Sequence, residues 1–331
     1  MKKVKIIAEA GINHNGKLKN ALKLVDIASK AGADYIKFQT YISEDLVTKS
    51  SKKAKYQILN TKKESQYKML KKYELSHSDH FKIISYCKKK KIKFLSSAFD
   101  HKSLIFLKKL NLDYFKIPSG EINNLPYLKI LAKFNKKVIL STGASSLNEI
   151  NNAVRILNKH GTPKKKITIL QCNSSYPSPF DDINLLAIPS LKKKLKLEIG
   201  FSDHTLGTEA PIAAVALGAV IIEKHITLDK NLKGPDHKSS ISPNELAYMV
   251  KSIRNIEKAL GLKKKVISKS EKINQKYIRK SIVAKKDIKI GDKFSFDNIC
   301  VKRPGFGKSP MLIEKIIGKK SKKNFLKDSL I

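Results

Sequence analysis

Short apolar or β-branched runs alternate along the chain with longer segments in which apolar residues recur every three or four positions. These are the periods of strand and amphipathic helix. Runs of the first kind fall at residues 4–9, 34–38, 92–97, 114–117, 138–142, 167–172, 197–202 and 220–225. Helical stretches between them include 18–31, 78–90, 125–134, 147–160 and 207–217. A further one, 242–260, follows the last strand and stops at Gly261, a good C-terminal signal. Eight strand–helix units over roughly 260 residues have the size and rhythm of an α/β (β/α)8, or TIM, barrel. A doubly wound open sheet is the alternative, but no G-x-G-x-x-G follows the first strand.

After Gly261 the pattern changes. Residues 263–280 are lysine-rich with little apolar periodicity and read as a linker between a barrel domain at 1–262 and a small β-rich domain at 281–331. That tail reads as short strands and turns, with an Ile290-Gly291-Asp292 turn and a Pro304–Gly307 loop. So few large apolar groups make a marginal core, so the tail should lean on the barrel or on a second subunit.

Composition narrows the class. Of the 331 residues 41% are hydrophobic and 29% charged, which excludes a wholly disordered chain. The longest uncharged apolar run, 210–222, is far short of the ~20 residues a spanning helix needs, so no membrane role is expected. Two lysines followed directly by a strand-like run containing Glu9 do not resemble a signal peptide. Three cysteines (Cys87, Cys172, Cys300) without a C-x-x-C pair point to a reducing, cytoplasmic compartment. The net charge of +40 suggests a nucleic-acid or anionic partner at first. Yet the only arginines are Arg155, Arg254, Arg279 and Arg303, and arginine is the residue suited to bidentate phosphate and base contacts. The lysine runs are scattered, several at helix ends. The charge therefore reads as genome composition and solvated helix termini, with no specific nucleic-acid partner.

A barrel carries its active site at the C-terminal ends of its strands. Here those ends concentrate polar groups: Glu9, Lys37 and Gln39, Ser97, Lys116, Ser119 and Glu121, Ser141, Asn173 to Tyr176, Ser202, His204 and Glu223 to His225. His204 and His225 end neighbouring strands, ~4.8 Å apart, so their imidazoles can converge on one divalent ion. Imidazole suits manganese, iron, zinc or copper better than magnesium or calcium. Two unrelated, backbone-satisfied histidines are the alternative, and the catalytic-face location favours the metal. Lys37 and Lys116 look like anchors for an anion, with Ser119, Ser141 and Ser202 as hydroxyl donors to phosphate or carboxylate. Glu9, Glu121 and Asp236 are candidate acid/base or hydroxyl-binding carboxylates. Cys172 reads as a buried strand residue.

The strings themselves are distinctive. AEAGINHNG (8–16) is followed by KFQT (37–40), KIPSGE (116–121), LSTG (140–143), FSDHT (201–205), EKH (223–225), GPDH (234–237) and KRPG (302–305). In this order, over essentially the whole chain, they resemble the N-acetylneuraminate (sialic acid) synthase family, which includes the legionaminate and pseudaminate synthases. The tail resembles that family's antifreeze-like (SAF) domain.

The resemblance implies a metal-dependent condensation of phosphoenolpyruvate with an open-chain N-acetylhexosamine, giving a nonulosonic acid and phosphate. N-acetylmannosamine, yielding N-acetylneuraminate, is the leading acceptor. A 6-deoxy-diacetamido-hexose, yielding diacetyllegionaminate or pseudaminate, is the alternative. It implies Mn2+ (or Mg2+ or Co2+) on His204 and His225, polarising the aldehyde. Lys37 and Ser97 would meet the phosphoenolpyruvate carboxylate, and Lys116, Ser119, Ser141 and Ser202 its phosphate. The family's phosphate-binding Asn corresponds to Ser174, with Asn173 beside it. Glu9, Gln39, Tyr176 and Asp236 would contact the sugar, and Glu121 would orient or deprotonate water. It further implies a homodimer in which the SAF domain caps the partner's active site, so that Arg303 reaches the N-acetyl group. Outside the family, another metal-dependent barrel aldolase would lack phosphate release dependent on phosphoenolpyruvate. A lysine-rich nucleic-acid binder would show steeply salt-dependent DNA affinity and no turnover.

Overall fold

The computed structural model describes residues 3–61 and 64–331 and divides into two compact units, Met1–Gly261 and Leu262–Ile331. In the first, eight parallel strands close on themselves: β1 (Lys5–Gly11), β2 (Tyr35–Thr40), β3 (Lys93–Ala98), β4 (Tyr114–Ile117), β5 (Lys137–Ser141), β6 (Ile167–Cys172), β7 (Glu198–Asp203) and β8 (Ile221–His225). Each pairs with the next in sequence, and β8 pairs back onto β1 with Glu9 opposite His225. The expected (β/α)8 barrel is therefore the fold.

Helices pack outside the strands, and sequence explains their limits. Leu18–Ala31 buries Ala21, Leu24, Val25 and Ala28, one stripe at helical spacing. It ends at Gly32, whose φ of 81° suits glycine and lets its N–H cap the last turn. Pro243–Ala259 starts from a Ser242/Glu245 capping box, worth about 1 kcal/mol. Between β2 and β3 the chain inserts three short helices, Ser43–Leu46, Lys55–Asn60 and Gln66–Tyr73, before the expected one at His77–Lys89.

Strand alternation sets what fills the barrel. Ile7, Tyr35, Leu95, Tyr114, Ile139, Leu170 and Ile221 form a separate buried cluster, one residue from each strand except β7. β7 contributes Gly200 at that level, and a Cβ there would come within 2.5 Å of the Ile221 carbonyl and 2.6 Å of Leu170. The glycine is required for the plug to close. Because side chains repeat every two residues, the next inward position on every strand lies one layer higher. Those positions are Glu9, Lys37, Ser97, Lys116, Ser141, Cys172, Ser202 and Glu223. A dry apolar plug thus carries a polar floor.

The second unit pairs β9 (Ser281–Ala284) antiparallel with β10 (Ile299–Lys302). Its core gathers Ile282, Ala284, Ile288, Phe294, Ile299, Ile316, Phe325 and Ile331. The segment expected to be a plain linker contains a ten-residue helix, Lys269–Ile278, with a Ser268/Glu271 capping box. None of its residues is buried, which is why apolar periodicity gave no sign of it. Among the described residues no helix is long and apolar enough to cross a membrane.

Candidate active site

Above the polar floor lies a cavity of about 350 Å³. Of the residues expected in the site, Glu9, Lys37, Gln39, Ser97, Lys116, Ser119, Ser141, Ser174, Tyr176, Ser202, His204, His225 and Asp236 all line it. Three do not. Glu121 is buried in the turn after β4, where its Oε2 accepts from Asn124 Nδ2 at 2.6 Å. The Asn173 side chain is used within its own loop: Oδ1 accepts from the Ser175 N–H and Ser178 hydroxyl, and Nδ2 donates to the Asp182 carbonyl. Ser174, not Asn173, reaches the cavity. Arg303 belongs to the second unit, where it is exposed and its Nε donates to the Ile278 carbonyl.

The floor is an ionic network. Lys37 Nζ lies 2.9 Å from Glu9 Oε2 and donates to Ser97 Oγ at 3.0 Å. Lys116 Nζ donates to Glu223 Oε1 at 3.0 Å, and Ser202 Oγ donates to the same oxygen at 3.0 Å. Burial pushes the Glu9 carboxyl up to about 7, although Lys37 pulls the other way. Burial also works against charge on Glu223, but Lys116 and Lys37 outweigh it and hold its carboxyl down at about 2. Burial lowers Lys116, whereas in Lys37 the carboxylates of Glu223 and Glu9 win over burial and raise it. Burial brings Asp236 up to about 6. Glu223 stands among the strand-end polar groups of the sequence, but sequence reading gave it no role in the site. The period-two signal was available, because 221, 223 and 225 must share one face.

The two histidines meet above this floor, ring centroids 5.4 Å apart. His204 is oriented by the Asn173 carbonyl at Nδ1 (2.5 Å) and by the Tyr176 hydroxyl at Nε2 (2.9 Å). His225 Nδ1 is buried and has no hydrogen-bond partner. Burial depresses its pKa well below the usual value, so the ring is neutral and able to ligate. A side chain at Gly11 would crowd that nitrogen at 3.3 Å, so glycine keeps it open. An orphaned imidazole nitrogen beside a second histidine fits a divalent ion. Among the described residues no group of three His, Cys, Asp or Glu side chains forms a complete ligand set. The fit is therefore to an open site whose other positions go to water or substrate.

The remaining wall comes from the insertion after β2 and from Phe99, just past β3. Tyr41, Leu46, Val47, Leu70 and Phe99 give it an apolar side, and Tyr56 stacks on Tyr176 with centroids 5.1 Å apart. Asn60 Nδ2 donates to the Pro235 carbonyl at 3.0 Å, tying the insertion to the loop that carries Asp236. Sequence reading missed these groups because helices of four to eight residues and the turns between them show little periodicity.

A closed barrel with a polar cavity of buried lysines, hydroxyls and paired imidazoles at the C-terminal ends of its strands has the layout of a barrel enzyme. Comparison with known proteins assigns the chain more narrowly. A model of the NeuB family matches residues 24–265 and one of the SAF domain matches 279–331. The chain belongs to the NeuB family, with a SAF domain at its C-terminal end. It is 51% identical to an N,N'-diacetyllegionaminic acid synthase of Campylobacter jejuni, over 100% of this chain and 99% of that one. A Legionella pneumophila protein of the same name is 41% identical, over 96% and 90% of the two chains. Among solved structures, an N-acetylneuraminic acid synthetase from Leptospira borgpetersenii superposes with a TM-score of 0.73 at 38% identity, covering 82% of this chain and 90% of that one.

Proposed function

We propose that the protein condenses phosphoenolpyruvate with an open-chain 2,4-diacetamido-6-deoxyhexose and water, releasing phosphate and an N,N'-diacetyllegionaminate-type acid. The observation that carries this acceptor is the 51% identity, end to end, with the Campylobacter jejuni enzyme of that name. It favours the diacetamido sugar over the N-acetylmannosamine that the motifs first suggested. The apolar wall of Tyr41, Leu46, Val47, Leu70 and Phe99 supports the same choice. Such a surface accommodates a 6-methyl and a second acetyl methyl without leaving a buried hydroxyl unpaired.

In this reading Lys37 and Ser97 hold the phosphoenolpyruvate carboxylate, and Lys116, Ser119, Ser141, Ser174 and Ser202 its phosphate. Fixed cations and hydroxyls of this kind act by electrostatic preorganisation. Glu9, Gln39, Tyr176 and Asp236 face the sugar. Glu9 and Asp236, whose carboxyls burial raises to about 7 and 6, are suited to exchange protons with its oxygens near neutral pH. His204 and His225 would hold Mn2+ or a similar divalent ion, which as a Lewis acid supplies polarisation of a carbonyl oxygen. The same reading takes the protein as a homodimer whose SAF domain brings Arg303 to the partner's cavity. Restored activity on mixing His204→Ala and Arg303→Ala subunits tests that arrangement.

Phosphate release measured with the two acceptors tests the main reading. A kcat/KM at least about tenfold higher for the diacetamido sugar is expected, the scale of one or two well-placed apolar groups. A preference for N-acetylmannosamine would overturn the choice of acceptor while keeping the reaction.

A further inference from the structure

Two of the donors assigned above to the phosphate, Lys116 and Ser202, are already engaged by one side chain. Glu223 Oε1 accepts from Lys116 Nζ and from Ser202 Oγ, both at 3.0 Å, and its Oε2 lies 3.8 Å from Lys37 Nζ. A carboxylate thus sits among the cations and hydroxyl that an anionic substrate needs. It is also poorly satisfied, because Oε2 is buried without a hydrogen-bond partner. While Glu9, paired to Lys37 at 2.9 Å, is ionised, two carboxylates offset two lysines, and the floor carries no formal surplus of positive charge. A multiply charged anion entering a neutral, buried site loses its hydration without a compensating field. It gains that field only if one carboxylate gives up its lysine.

We propose that Glu223 is an internal stand-in for the substrate phosphate: its carboxylate holds Lys116, Ser202 and Lys37 in the empty cavity and is displaced from them when phosphoenolpyruvate binds. This rests on the function proposed above. Two consequences follow from the geometry. The stand-in keeps two buried ammonium groups partnered and oriented between turnovers, when an unpaired buried cation would be costly. It also competes with inorganic phosphate, the leaving group, and returns to the lysines as phosphate departs. Glu223 is in this sense a residue that sets anion affinity and release. The alternative is a fixed counter-ion whose charge helps to hold the lysines in place throughout the cycle.

The two roles predict opposite effects of removing the charge. The probe is inorganic phosphate, titrated into the full-length protein by calorimetry, with phosphoenolpyruvate titrated in parallel. Glu223→Gln keeps an oxygen to accept from Lys116 and Ser202 but removes the competing charge. It is expected to bind phosphate at least about tenfold more tightly than wild type, since close buried charges differ by well over 1.4 kcal/mol. Its turnover should fall at the same time, with KM for phosphoenolpyruvate falling rather than rising. Glu223→Asp retracts the carboxylate while keeping its charge. It should tighten phosphate binding by a smaller factor, and it carries the test if Glu223→Gln does not fold. Unchanged or weaker phosphate binding in the folded variants overturns the proposal and leaves the fixed counter-ion. A wild type that binds neither phosphoenolpyruvate nor phosphate, with Glu223→Gln equally inert, overturns the function reading and this inference with it.

Discussion

Replacing Lys224 by methionine should be the most destabilising single change behind the active site. Its side chain and that of Asp203 are both fully buried, on the outer face of the barrel between strands and helices. Lys224 Nζ donates to Asp203 Oδ2 at 2.5 Å and to the Thr205 carbonyl at 2.6 Å, while Asp203 accepts from the Thr205 N–H at 2.9 Å and hydroxyl at 3.0 Å. The lysine therefore closes the turn that presents His204. Without it, Asp203 keeps only the two Thr205 donors and the Thr205 carbonyl loses its ammonium. Breaking a buried pair from one side costs about 3–5 kcal/mol. At about 2–4 °C per kcal/mol for a unit of this size, the barrel's melting temperature should fall by about 6–20 °C. Circular dichroism melts measure it. The double variant Asp203→Asn/Lys224→Met should recover part of the loss, because no uncompensated charge is left buried. A shift of under about 2 °C in Lys224→Met, or a double variant that melts still lower by the full sum, would refute the argument.

Other outcomes follow from the same geometry. Lys116→Ala should raise KM for phosphoenolpyruvate by about 10–100-fold and that for the sugar far less, since a charged hydrogen bond is worth about 1.5–3 kcal/mol; steady-state kinetics with each substrate varied would expose an equal effect on both as a misassignment. Chelation should abolish turnover, with manganese restoring it better than magnesium, and His204→Ala should stay folded while losing at least ~10²-fold in rate. Full activity in excess chelator would rule the ion out. Burial lowers His14 and His237 from 6.5 to about 4, so the folded state favours their neutral forms. The unfolded chain binds those protons first, so this stability is present above pH 6.5 and is lost as the pH falls towards 4. Urea midpoints measured across that window should decline, and less steeply in His14→Gln; a flat profile would contradict the assignment.

Much of the architecture was legible because a barrel strand is short, apolar and bounded. β4 and β6 fall at the residues that periodicity assigns, and the other strands shift by one or two positions. The anion-binding face was legible for a related reason: lysine, serine and histidine at strand ends stand out against β-branched runs. Glu223 was visible at its strand end but its role was not, because that depends on the spatial neighbours Lys116 and Ser202, which alternation alone does not bring together. The helices at residues 43–73 and 269–278 escaped since they bury little. Their signal was instead in the caps, Ser65 for one and the Ser268/Glu271 box for the other. Glu121 and Asn173 carried chemistry by position in a motif, and in the fold their side chains are taken up by local hydrogen bonds.

The central claim is that the barrel cavity joins phosphoenolpyruvate to an acetamido sugar. The most direct measurement follows phosphate release from phosphoenolpyruvate with and without the 2,4-diacetamido-6-deoxyhexose, and takes the mass of the product. The account predicts release only when both substrates and a divalent metal are present, a product combining the acceptor with the three-carbon acid, and a fall of both signals by about 10–100-fold in Lys116→Ala at phosphoenolpyruvate well below KM. Phosphate released without any acceptor, or none with either diacetamido or monoacetamido sugar, would contradict it.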